Sequence, residues 1–590
     1  MHADEQPAGA LPQFTRWLAG SERPRPASHR HLGALHPDEA VAFTLVLRRR
    51  PGSPPFPRIP FENRPCIANE EYVSLYGADP AELEAAAAFV RAEGMTVLEA
   101  HAGRRTLAVL ASAAQVRAVL GVALQRYEDS SEDIGGDTGA TELPQPVVGA
   151  GEDAGVPKPR SHRGFDGAVR LPAELSASVT AVVGLDDRFL GVPRGAATGT
   201  QAAASGPTVA AAVQKLKVPN TGAYGEVIGV FAAQPPGLPG TAPCYLPSDV
   251  THLYFAGQPA GYRTRPMSVL DINLTVGATT YKNDPSQVTK IDDLANADSA
   301  TLELTQEIST SATVAQGARV NVYFTEASEQ GYLAFMNRVL LPEREKQPTV
   351  LSFSLAIDAE YEAGTAIGSS SLAYLVDELF HQIAALGISI FIAVRERGAG
   401  KWRLLAAPNL APSVMAPRLP YSLRRLMPAS ISVATALSPA ALRIAARTGG
   451  LGDSAMIAPD APGLPGIGGE ATYSGFFVNG ISYSYAGASC VASFYAGTTA
   501  LLRSAFGAGL GFLNSMLFQL RATGTLNNHS NQDRDARAES GGTADESDQE
   551  SGIQAGAQFF AGEDRVLKHS IKRWDMLPMR NAAISAASSL

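Results

Sequence analysis

Ser474 to Phe506, SGFFVNGISYSYAGASCVASFYAGTTALLRSAF, reads as a strand, a tight turn of small residues and a long apolar helix. Gly475 to Tyr485 is rich in Phe, Val, Ile and Tyr, with Asn479-Gly480, the dipeptide of a two-residue hairpin turn, in its middle. Ala486-Gly487-Ala488 lets the backbone turn sharply, so Ser489 falls in the first turn of the helix, at the positive end of its dipole. A nucleophilic hydroxyl is favoured there. A serine ahead of an apolar run also serves simply as a helix cap, and the rest of the chain has to decide between the two roles.

The chain has 590 residues, enough for a large core and more than one domain. Its ordinary apolar and charged fractions indicate a soluble globular protein. A net charge of -9 with no basic stripe argues against nucleic acid as a partner. The short runs Arg48-Arg49-Arg50 and Arg104-Arg105 read as solvated surface or as charge that docks one domain on another. No stretch is apolar for long enough to span a bilayer, and MHADEQPAGALPQ lacks the charged and apolar regions of a signal peptide, which leaves export undetermined. Cysteine occurs only at Cys66, Cys244 and Cys490, so neither a disulfide framework nor a Cys-based zinc site is indicated. His252 and His381 have nothing at triad spacing around them and read as structural or exposed.

Residues 1 to 30 lack periodicity and read as a poorly ordered arm. Residues 31 to 188 form a first domain. AVAFTLVLRRR is a strand, Asp79-Pro80 opens a helix that Gly94 ends, and MTVLEAHAGRRTLAVLAS gives two strands. SAAQVRAVLG gives a second helix and VALQRYED the closing strand, the β-α-β-β-α-β order of a ferredoxin-like α+β unit. Residues 189 to 214 are Ala/Gly/Thr-rich at their start and read as an exposed linker. From residue 215 strands alternate with helices: GEVIGVFAA, MSVLDINLTV, ARVNVYF, TVLSFSLAI, ISIFIAV and SISVATAL. Buried apolar strands separated by helices predict an α/β domain with a parallel, doubly wound sheet and helices on both faces. Sites in such sheets form at the carboxyl ends of the strands.

Within that domain SATLELTQEISTSATV carries Glu303 and Glu307 four residues apart, on one face of a helix. On a surface they would be a mildly repulsive acidic face. Held together in a cleft they share a proton, and the raised pKa of one makes it a usable acid or base.

The order of HPDEAVAFTLVLRRRPGSP, the stretch from Glu70 to Glu128, and RGFDGAVRLPAELSASVTAVVGLDDR resembles the activation prodomain of the sedolisin family of serine-carboxyl peptidases, closest to the kumamolisin type. The resemblance implies a zymogen of subtilisin-like fold whose own prodomain covers the cleft until a cut in the linker releases it, a secreted location, and a peptide or protein substrate. It maps Ser489 to the nucleophile, Glu303 to the general base and Glu307 to the carboxylate that orients it, with Glu where the family has Asp. By alignment Glu396, in Arg395-Glu396-Arg397, takes the place of the family's protonated oxyanion aspartate, and Ser493 stands where the family has proline. Ser354-Leu355-Ala356 replaces a Ser-x-Trp-Gly element, and the glycine-rich substrate strand is shortened. The resemblance also implies a terminal calcium loop. Asp575 survives there, but Asn527-Asn528 replaces anionic ligands, which weakens a hard-cation site. The acidic run from 531 to 550 reads as a disordered insertion.

Two functions follow. One is a serine-carboxyl endopeptidase made as a zymogen and active in acid. The other is a catalytically impaired homologue that serves as a binding or scaffold protein.

Overall fold

The computed structural model describes residues 14–23, 30–54, 66–128, 161–189, 195–198, 208–215, 221–256, 268–354, 372–394, 432–436, 466–469, 472–507 and 509–511. Glu396, Asn527, Asn528, Asp575 and the run from 531 to 550 lie outside the described residues, as do the side chains of His252 and His381.

The first unit is built on strand β1 (Ala40–Leu47), helix α1 (Asn69–Tyr76), helix α2 (Pro80–Ala92), strands β2 (Thr96–His101) and β3 (Thr106–Ser112), helix α3 (Ala113–Leu120) and strands β4 (Leu124–Glu128) and β5 (Val179–Val183). Asp79 starts α2 by accepting from the Ala81 amide at 2.8 Å, with Pro80 in the first turn where its missing N–H costs nothing. A reciprocal Ser112–Gln115 box starts α3, and Gly121 at φ 67 ends it. Strands β2-β3-β1-β5 form one antiparallel sheet in that order.

One expectation fails here. VALQRYED does supply β4, but β4 pairs with Arg30–Ala34 and Ser161–Phe165 in a separate three-stranded sheet. The four-stranded sheet is closed by β5, VTAVV. Only Leu124 and Tyr127 of β4 are buried, whereas β5 is covered on both faces. Val179 and Val182 enter the first unit's own core, while Ala181 and Val183 face the second unit. A central sheet covered on both sides selects the β-branched run over the half-polar one.

The expected exposed linker is also cut short. Gly195–Thr198 forms strand β6, and Val209–Lys215 forms helix α4, which buries Val209 and Ala212 in the second unit's core.

The second unit runs β7 (Val227–Gln234), α5 (Pro247–Ala256), β8 (Ser268–Asn273), α6 (Ser299–Val314), β9 (Arg319–Glu326), α7 (Glu329–Leu340), β10 (Val350–Phe353), α8 (Leu372–Ala385), β11 (Ser389–Val394), β12 (Ser432–Ala436) and β13 (Gly466–Gly469). A hairpin, β14 (Thr472–Val478) and β15 (Ile481–Gly487), then leads straight into α9 (Ala488–Phe506). Seven strands make one sheet in the order β8-β9-β7-β10-β11-β12-β13, every neighbouring pair parallel. Side chains alternate across it. Ile228, Val230 and Ala232 face α6 and α9, whereas Phe231 and Ala233 face α7 and α8. Helices therefore cover both faces, as the apolar runs predict, and each large side chain fully buried between layers contributes about 1.5–3 kcal/mol.

The two units share a core. Val46, Ala181 and Val183 pack with Phe335 and Val339 of α7 and Leu379 of α8. The basic runs lie at this seam: Arg49 and Arg105 pair with Glu378 at 3.3 and 3.2 Å, and Arg104 donates to the Leu341 carbonyl at 2.7 Å. Arg23 forms an almost wholly buried ion pair with Glu329 at the start of α7. Of the two readings of the basic runs, docking describes Arg49, Arg104 and Arg105. Among the described residues no helix is long and apolar enough to cross a membrane.

Candidate active site

Helix α6 starts at Asp298, whose carboxylate accepts from the Ala300 amide at 2.8 Å. Its Leu304, Ile308 and Ala312 sit at helical spacing on the sheet. Most of the rest is polar, yet every residue from Thr301 to Val314 is buried because the hairpin and α9 close over the other side. A buried polar helix needs partners for its side chains. Gln306 donates to Thr310 at 2.9 Å and to Ser493 of α9 at 3.1 Å. Further along, Gly497 lets the helices close, since a Cβ there would stand 2.6 Å from Val314 Cβ.

Glu307 is fixed by the sheet. Ser352 at the carboxyl end of β10 donates to Oε1, and Ser354 just beyond donates to Oε2 at 2.7 Å. β7 and β10 are adjacent where the strand order reverses, the place where doubly wound sheets build their sites. Burial pushes the Glu307 carboxyl up to about 8, the two serines oppose that, and the charge of Glu303 adds to it. The two glutamates thus lie close enough to feel each other, as their spacing predicts. Near neutrality and below, Glu307 is a neutral acid.

Ser489 arrives from the hairpin. Asn479 and Gly480 both take positive φ, 45° and 76°, as the predicted two-residue turn requires. Asp249 of α5 pins that turn by accepting from both amides, at 2.7 and 3.0 Å. β15 then runs without a loop into α9, which places Ser489 as the second helical residue. Ser489 is fully buried and its Oγ has no hydrogen bond of ordinary geometry. The amides of the first turn have no carbonyl partner within the helix and face the same spot.

Tyr485 joins the two ends. Its phenol is held well above its usual range first by burial, then by the negative charge of Glu303, and the Ser489 hydroxyl acts on it in the opposite sense. Ser489, Glu303 and Glu307 are therefore assembled at one place. Ser352, Ser354 and Tyr485 escaped the sequence reading as site residues. The alternation of Tyr483 and Tyr485 on one strand face was the available signal for the last of them. Among the described residues no group of three or more His, Cys, Asp or Glu is placed to hold a metal ion.

The model of the pro-kumamolisin activation domain matches residues 62–188. The tripeptidyl-peptidase sed5 of Aspergillus fumigatus is 29% identical over 558 residues, which cover 85% of this chain and 88% of that protein. The chain is a homologue of the sedolisin peptidases. Kumamolisin of a Bacillus species is 22% identical over 398 residues, covering 65% of this chain and 61% of kumamolisin. Among solved structures, Pseudomonas sedolisin matches 55% of this homologue and 88% of its own chain at 14% identity with a TM-score of 0.36. Fervidolysin from Fervidobacterium pennivorans covers 84% and 60% at 10% identity with a TM-score of 0.31. The homology of this sedolisin relative, together with its activation domain, supports a peptidase made as a zymogen.

Proposed function

We propose that the chain is a serine-carboxyl endopeptidase of subtilisin-like fold, held as a zymogen by its ferredoxin-like prodomain and active in acid. The observation that carries this reading is that Ser489 and Glu303, far apart in sequence, both act on the buried Tyr485 phenol. Ser489 attacks the peptide carbonyl carbon while Glu303 takes its proton. The tetrahedral intermediate collapses as Glu303 returns that proton to the leaving amine, and water activated by the same carboxylate hydrolyses the acyl-enzyme. Glu307, neutral below about 8, keeps the neighbouring Glu303 as the one that ionises. Amides at the start of α9 supply positive dipole to the oxyanion, with Glu396 as the alignment's further candidate.

The burial of Ser489 fits a zymogen, in which β6 of the linker pairs antiparallel with Ser484–Gly487, the residues leading to the nucleophile. A processed enzyme must open this edge. Calcium at Asn527, Asn528 and Asp575 belongs to the proposal in weakened form, and a calcium-dependent melting temperature would support it.

The second reading, an impaired homologue that binds rather than cuts, is favoured by Arg395-Glu396-Arg397. Two flanking cations would hold Glu396 ionised and unable to donate a hydrogen bond. Incubation of the purified chain in acid separates the two. A peptidase shortens by a cut between Phe189 and Gln214 while Ser489→Ala stays intact, whereas equal, intact bands support the binding reading.

A further inference from the structure

β15 presents Tyr483 and Tyr485 on one side, because side chains two apart on a strand share a face. That face looks onto α6: the Tyr483 hydroxyl donates to the Leu302 carbonyl at 2.7 Å. Tyr485 lies one strand repeat closer to α9 and is completely buried. Its hydroxyl and the Ser489 Oγ are both enclosed without a hydrogen bond of ordinary geometry. Buried hydroxyls left in that condition are rare because they forfeit their bonds to water. Here two occur within reach of each other, the Tyr485 phenol lying against both the Ser489 hydroxyl and the Glu303 carboxylate, a hydrogen-bond acceptor. Loose geometry in a resting site that tightens when substrate is bound is a common property of catalytic hydrogen bonds.

We infer that Tyr485 is a positioning residue for the Ser489–Glu303 pair, its phenol donating to the Glu303 carboxylate and holding it in line with the serine hydroxyl. The inference rests on the peptidase reading for its catalytic consequence, though the contact itself does not. Tyr485 keeps its proton throughout: the proton that moves is the one Ser489 gives to Glu303, and burial together with the Glu303 charge keeps the phenol un-ionised at any working pH. The titratable groups facing this spot are Glu303 and Glu307 from α6, Tyr483 and Tyr485 from β15, Cys490 from α9 and, behind Tyr483, Asp249 from α5. Of these, Glu303 is the one next to the phenol whose ionisation an acid-side rate profile would read.

Tyr485→Phe in the full chain is the test, with Tyr483→Phe as the control that removes the neighbouring phenol. Tyr485→Phe is expected to slow the linker cut and the kcat of the processed enzyme by roughly a hundredfold, the scale of misplacing a reacting group, with KM little changed. The acid limb of kcat/KM should move to higher pH, since Glu303 loses a donor that favours its charged form. Tyr483→Phe should leave that limb where it is. Wild-type rate and acid limb in Tyr485→Phe would overturn the inference. A readout independent of activity and of how Tyr485→Phe folds is the infrared carboxyl band of protonated Glu303 in Ser489→Ala, assigned by its loss in Ser489→Ala/Glu303→Gln. A band at the lowered frequency of a phenol-bonded carboxyl supports the contact, and the frequency of a free carboxyl overturns it. If wild type and Ser489→Ala are equally uncut in acid, the peptidase reading has failed, and the band still decides the contact.

Discussion

Gln306 of α6 donates to Ser493 of α9 at 3.1 Å, and Ser493 in turn donates to the Ser489 carbonyl at 2.7 Å. One turn back along each helix from this bond stand Glu303 and Ser489, so a buried polar tie sets the two candidate reacting groups in register. Ser493→Ala leaves the Gln306 amide with one partner fewer in a closed interior. The expected cost is about 1–3 kcal/mol of stability, read as a lower urea midpoint with an unchanged slope.

Glu307 predicts how stability responds to pH. Its carboxyl rises from its ordinary value to about 8 on folding, so the folded state holds a proton that the unfolded state releases. The stabilisation is fully present below the ordinary glutamate value and is lost as pH rises through about 8. Urea midpoints of the wild type should fall between pH 5 and 8.5, and Glu307→Gln should show a shallower fall. Identical pH profiles would mean that Glu307 is ionised in the fold.

Removing Arg23 should loosen the first unit from the second. The Arg23–Glu329 pair is almost wholly buried across the seam, and Arg23→Met leaves Glu329 inside without its cation. Truncating one partner of such a pair costs about 3–5 kcal/mol. The drop should appear as a lower melting temperature and as faster proteolytic cutting between residues 189 and 208.

Asp249 is expected to matter through the hairpin. Asp249→Ala strips the Asn479 and Gly480 amides of a charged acceptor, a loss of about 1.5–3 kcal/mol for bonds to a charged group. Hydrogen exchange at those two amides should accelerate, while exchange in β7 stays slow.

Much of this arrangement was legible in the sequence, for identifiable reasons. Asn479-Gly480 specified its turn through local backbone preference, and Glu303 and Glu307 shared a face because helical spacing alone requires it. The parallel sheet followed from runs such as VIGVFAAQ, buried on both faces. What escaped depended on tertiary choice. β4 and β5 are both plausible strands, and only the second unit packing against Ala181 and Val183 shows which of them closes the sheet. Ser354 stood out only as part of a departure from a family motif and Ser352 drew no reading at all, until the fold placed both hydroxyls on Glu307. A linker reading based on composition missed that Val209 and Ala212 have a core to enter.

The central claim is that Ser489 and Glu303 work as one unit, and a double-mutant cycle on the acid-activated chain tests it most directly. Hydrolysis of an unfolded protein substrate by wild type, Ser489→Ala, Glu303→Gln and the double variant should show each single change removing nearly all activity and the double no further loss. Losses that multiply, or a Ser489→Ala protein that still hydrolyses the substrate, would contradict it.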